Sequence, residues 1–152
     1  MKIREIYKNF RIPPNLRDHM FRVYSVICLI ETHWKGKKVD WNLAKKTALL
    51  HDLGNIIKFK QFIGLEESSI EYWKQVQKEM IKKYGSDEEG ATKIMLRKVG
   101  VDERVIQIIE MKAFANSVGV KDSNDWRLKL LLYYADLRTL PLTSGDIRRK
   151  TF

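Results

Sequence analysis

The sequence predicts an all-α fold, and two observations predict it. Apolar residues recur at steps of three and four along most of the chain, with no stretch of strict alternation. Capping residues and glycines then bracket these stretches, so that each has a start and a stop. After Pro13 and Pro14, Asn15 is placed to cap a helix whose stripe runs Leu16, Met20, Val23, Ile27 and Ile30. A second helix is expected from Asp40 or Trp41. It buries Leu43, Ala44, Ala48 and Leu50, carries His51 and Asp52 in its last turn, and stops at Gly54, a residue suited to a left-handed turn. A third, from Glu66 to Tyr84, presents Ile70, Trp73, Val76, Met80 and Tyr84 before Gly85. Ser86 with Glu89 reads as a capping box for a fourth helix, with Ala91, Ile94 and Met95 inward and Gly100 after its end. Asp102 caps a fifth, with Val105, Ile108 and Ile109. Asn124 or Asp125 caps a sixth, with Leu128, Leu131, Leu132 and Ala135. The segments "KFKQFIG" and "ANSVGVKDS" read as loops, and Pro141 closes the last long helix.

Composition sets the frame around these elements. With 152 residues, 44% of them hydrophobic and 32% charged, the expectation is a single-domain helical bundle of about six helices. Its core spans about residues 12–140, followed by a tail over 141–152. No segment has the length of a signal peptide's apolar region or of a membrane span, which predicts a soluble cytoplasmic protein with no membrane partner. Cys28 is the only cysteine, so neither an internal disulfide nor a multi-cysteine zinc site is open to the chain. Its apolar neighbours place it in the core. The excess of 29 Lys and Arg over 19 Asp and Glu, a formal charge of +10, concentrates anions around the molecule without choosing among phosphates, nucleotides and RNA.

Against this background, ionisable groups at inward-pointing helical positions need an explanation. His19, the adjacent His51 and Asp52, and Asp136 are all of that kind, and each is costly to bury without a partner. A divalent cation compensates two carboxylates and accepts lone pairs from two neutral imidazoles, so one ion answers for all four. Two nitrogen and two oxygen ligands suit Mn, Fe, Co, Ni or Zn better than Ca or Mg. An ion held by four protein groups keeps positions for a water and a phosphate oxygen, which makes phosphate-ester hydrolysis the natural use. The competing reading is that the four residues pair with nearby lysines and bind no metal. His33 follows His19 by 14 residues on one helix, about 21 Å along its axis, so the two cannot share an ion. It is assigned to the surface.

The segments "LRDHMFRV", "ALLHDLGN" and "LYYADLRT", in this order and with 32 residues between His19 and His51, resemble the HD-domain metal-dependent phosphohydrolases. The resemblance covers about residues 12–140. It implies an all-helical bundle in which His19, His51, Asp52 and Asp136 ligate metal, with His51 and Asp52 at the catalytic centre. Members with two metals carry further histidines on the middle helices, and none follows His51 here, so one divalent transition metal is implied. The Gly-Tyr-Pro motif of the cyclic-dinucleotide-cleaving branch is missing. The implied substrate is therefore a phosphomonoester, a nucleoside monophosphate in the branch that resembles 5'-nucleotidases. Arg22, one helical turn from His19, is the first candidate to clamp its phosphate, followed by Lys58 and Arg138. Asn55 and Lys60 stand where that branch has carboxylates, and Glu66 and Glu67 are the nearest substitutes. This motivates the alternative of a nucleotide- or RNA-binding module that keeps the fold without hydrolysis.

Overall fold

A computed structural model of the chain describes residues 2–110 and 124–139. Among the described residues there are seven α-helices and no strand. They are α1 (Ile3–Asn9), α2 (Pro14–His33), α3 (Trp41–Ala48), α4 (Ile70–Tyr84), α5 (Glu88–Lys98), α6 (Glu103–Glu110) and α7 (Asn124–Thr139), with 3-10 helices at Asn55–Lys58 and Glu67–Ser69. None is long and apolar enough to cross a membrane.

The long α2 packs along α7 and against α3, and α3 in turn meets α6 and α7. On the other side of the site, α4 and α5 pack on the 3-10 helix at Asn55–Lys58. The stripe predicted for α2 is the one buried: Leu16, Met20, Val23 and Ile27 join a core with Ala48, Leu50, Met95, Ile106, Leu128 and Ala135. Burying one such aliphatic side chain contributes about 1.5–3 kcal/mol, so these stripes hold the helices in register around the site.

Several expectations are corrected. Helix α1 lies ahead of the predicted first helix, with Ile6 and Tyr7 buried. Helix α2 begins at Pro14 with Pro13 as its cap, because a proline at the first helical position costs no hydrogen bond. Asn15 instead donates from its amide to the carbonyl of Ile63, 2.8 Å away. Helix α3 ends at Ala48, so His51 and Asp52 lie beyond it rather than in its last turn. Helix α4 starts at Ile70, the residues before it forming the 3-10 helix at Glu67–Ser69. Helix α5 is capped by Asp87, whose carboxylate accepts from the Gly90 N–H at 2.7 Å; an ionised acceptor at a helix N-terminus displaces the Ser86 hydroxyl from that role. Ile94 faces solvent, and Cys28 is half-buried. Gly85 and Gly100 do adopt left-handed φ after their helices. "ANSVGVKDS", Pro141 and the tail lie outside the described residues.

Candidate metal centre

Three separated segments carry the four polar residues to one place. His19 sits in the second turn of α2, Asp136 in the last turn of α7, and His51 and Asp52 in the turn after α3. That turn has a sequence logic of its own. Leu50, Leu53 and Ile56, all fully buried, repeat every three residues, which matches a chain wound at 3.0 residues per turn and not at 3.6. Leaving the α-helix exposes backbone groups, and several are taken up by side chains from elsewhere in the chain. The Tyr7 hydroxyl donates to the Leu49 carbonyl at 2.6 Å, and the Gly54 N–H donates to Thr92 Oγ1 at 2.9 Å. The Gln77 amide donates to the carbonyls of Ile56 (2.8 Å) and Phe59 (2.9 Å).

Gly54 is required here for space, not for φ. Its φ is −83°, ordinary for any residue, but a Cβ at this position would lie 2.3 Å from the Glu88 carbonyl oxygen and 2.8 Å from Thr92 Oγ1. The absent side chain lets the start of α5 rest on the turn that carries the dyad.

One ligand atom from each of His19, His51, Asp52 and Asp136 lies within 4.8 Å of every other. His19 Nε2 is 3.0 Å from Asp136 Oδ1 and 3.4 Å from Asp52 Oδ2, while His51 Nε2 is 3.4 Å from Asp52 Oδ2 and 3.6 Å from Asp136 Oδ1. The two carboxylates thus face both imidazoles across a volume the size of an ion's first coordination sphere. The side chains are nearly dry, with exposures of 0% for His51, 6% for Asp52, 11% for His19 and 15% for Asp136, so their interactions are weakly screened.

These residues fit a divalent metal. His51 Nδ1 lies 2.8 Å from the Ala48 carbonyl, which can only accept, so Nδ1 carries the proton and Nε2 presents its lone pair to the cluster. That is the arrangement found in metal-ligating histidines, where the second ring nitrogen donates to a carbonyl. His51 Nε2 is fully buried and makes no hydrogen bond among the described residues, the state of a ligand atom whose acceptor is a cation. The donor set, two nitrogens and two carboxylate oxygens, suits a first-row divalent transition metal. In the metal-free protein a proton takes over part of the compensation. Burial pushes the His19 imidazole down, but hydrogen bonds to Asp136 and Asp52 outweigh it and raise its pKa to about 9. The ionic contacts of the two histidines are with the two aspartates themselves.

A cavity of about 220 Å³ opens beside His51, Asp52 and Asp136. Its remaining wall includes Asn55, Lys58, Glu88, Glu89, Thr92 and Tyr133. Of the three predicted phosphate-binding residues, Lys58 is on this wall. Arg22 is exposed on α2, and Arg138 is exposed with its guanidinium 6.0 Å from the Tyr134 ring centre; neither lines the cavity. Glu66 and Glu67 are exposed and also lie away from it. The carboxylates on the wall, Glu88 and Glu89, come from the first turn of α5. Read as a helix start, "SDEEGAT" identifies only capping chemistry, and the contact that turns it toward the dyad runs through Gly54 and Thr92, which no local pattern displays. His33 is exposed at the end of α2, with Nδ1 3.0 Å from the Leu29 carbonyl.

Compared with known proteins, residues 16–136 match the HD domain family. No curated protein and no solved structure matches the chain.

Proposed function

We propose, from the premise that the chain belongs to the HD domain family, that it is a metal-dependent phosphohydrolase cleaving a phosphomonoester, a nucleoside monophosphate being the substrate of choice. His19, His51, Asp52 and Asp136 would hold one divalent transition metal, Mn, Fe, Co, Ni or Zn. The observation that carries this reading is the convergence of four nearly dry ligand atoms, with the buried lone pair of His51 Nε2 aimed among them. When bound, such an ion supplies Lewis acidity toward a phosphoryl oxygen and makes water acidic enough to attack near neutral pH.

The protein's own residues do the rest. The Ala48 carbonyl fixes the His51 ring and its tautomer. Lys58 offers a cation to the phosphate at the cavity wall, and Asn55 offers an amide that donates to a phosphoryl oxygen. A cavity of about 220 Å³ is smaller than the ~300–1,000 Å³ typical of pockets that enclose a whole ligand, so it suits a phosphate head with the remainder reaching outward. Phosphate release from a panel of nucleoside monophosphates and simple phosphomonoesters, with Mn²⁺ or Co²⁺ added, tests the reading. Release from at least one supports it, and none at high enzyme concentration with any of the metals overturns it.

One observation favours a second reading. Asn55, buried and on the cavity wall, is an amide and cannot take up a proton. A module that binds a nucleotide or RNA without cleaving it would show salt-sensitive affinity and no product.

A further inference from the structure

The cavity lined by three of the four ligand residues, His51, Asp52 and Asp136, is also lined by two carboxylates outside that set, Glu88 and Glu89. Glu88 stands at the first position of α5, and its main chain is pinned to the dyad's turn: Thr92 Oγ1 donates to the Glu88 carbonyl at 2.8 Å and accepts from the Gly54 N–H at 2.9 Å. Gly54 lies two residues after Asp52, so the backbone that places Glu88 is locked to the backbone that places a ligand. Side-chain variants at position 88 leave both of these hydrogen bonds intact. Lys58, which lines the same cavity, brings its Nζ to 3.5 Å from Glu88 Oε1. Glu88 is half-buried, whereas its neighbour Glu89 is exposed.

We infer that Glu88 is the proton-transfer group of the reaction, in place of the carboxylates absent at Asn55 and Lys60. This rests on the phosphohydrolase reading. The oxygen of the attacking water bonds to phosphorus as the ester P–O bond breaks. One water proton passes to the Glu88 carboxylate, which returns it to the departing alkoxide oxygen. The products are an alcohol and inorganic phosphate, and the carboxylate is regenerated. The contact with Lys58 positions the Glu88 carboxylate at the cavity wall, and phosphate entering beside Lys58 frees it to act.

The test uses the Mn²⁺-loaded full chain with p-nitrophenyl phosphate and the nucleoside monophosphate panel. Glu88→Gln keeps its metal content by elemental analysis and its melting temperature, yet loses about 10²–10⁴-fold in kcat, the range for a missing acid or base, with KM little changed. Glu88→Asp restores part of the loss. Glu88→Ala regains turnover when formate is added as an exogenous base. Binding gives a readout independent of turnover: with one negative charge gone from the wall, Glu88→Gln binds inorganic phosphate about three- to tenfold tighter by calorimetry. Native turnover with Glu88→Gln within twofold of it overturns the assignment alone, as does a loss confined to Glu89→Gln or a loss accompanied by missing metal. Absence of turnover by the native chain overturns it together with the reading beneath it.

Discussion

His19 Nε2 and Asp136 Oδ1 lie 3.0 Å apart, so α2 and α7 close on each other through a polar pair and not only through their apolar stripes. A metal bound between them links both helices to the turn after α3. Metal at 100 times its Kd stabilises the folded state by about 2.7 kcal/mol. The native chain is expected to show that rise in melting temperature with Mn²⁺ or Zn²⁺. Asp136→Ala is expected to lose both the rise and the metal found by elemental analysis.

Protons and metal compete for His19. In the metal-free protein its pKa stands at about 9, above the ordinary 6.5. A raised pKa contributes stability that is fully present below about pH 6.5 and is lost as pH rises through about 9. The melting temperature of metal-free protein is therefore expected to fall across this window, with a flatter profile in His19→Gln. Within the same window metal binding displaces the His19 proton, which calorimetry in two buffers of different ionisation enthalpy detects.

Gly54 and Gly85 separate two reasons for glycine. Gly54→Ala sets a methyl 2.3 Å from the Glu88 carbonyl at an ordinary φ, a steric cost of roughly 1–3 kcal/mol from forced movement of α5. Gly85→Ala meets no atom within 4 Å but holds φ at +92°, a conformational cost of about 1–2 kcal/mol. Both lower the melting temperature; only Gly54→Ala is expected to lower metal affinity, because only it displaces the dyad's turn.

Thr92→Val keeps shape and removes the hydroxyl that joins Gly54 to Glu88. It leaves the buried Gly54 N–H without its acceptor, at a cost of about 1–3 kcal/mol by denaturant titration. Hydrogen exchange at the Gly54 amide should accelerate in the same variant.

The periodic part of the fold is open to inspection in the sequence: the stripes of α2, α4 and α7 are buried as their spacing requires, except that Ile30 and Ile70 are only half-buried, and Gly85 and Gly100 turn where predicted. The cluster was legible for a related reason, because charged groups at inward positions of separated helices have few other uses. The turn carrying His51 and Asp52 is not legible locally, since "ALLHDLG" continues the α3 pattern. The three-residue repeat of Leu50, Leu53 and Ile56 that distinguishes it becomes decisive only when all three are seen buried. The placement of Glu88 is not encoded locally, because it depends on contacts between α5 and a glycine distant in sequence. Helix α1 leaves little local signal, because it is short and its anchoring bond is to a main-chain carbonyl.

That bond, from Tyr7 to the Leu49 carbonyl, ties a helix ahead of the matched residues 16–136 to the loop bearing the dyad. The chain's opening segment therefore serves as a buttress: a fragment trimmed to the family boundary would keep all four ligands and still hold them less firmly. Tyr7→Phe, which removes one oxygen and costs about 1 kcal/mol, samples the same loosening in the intact protein.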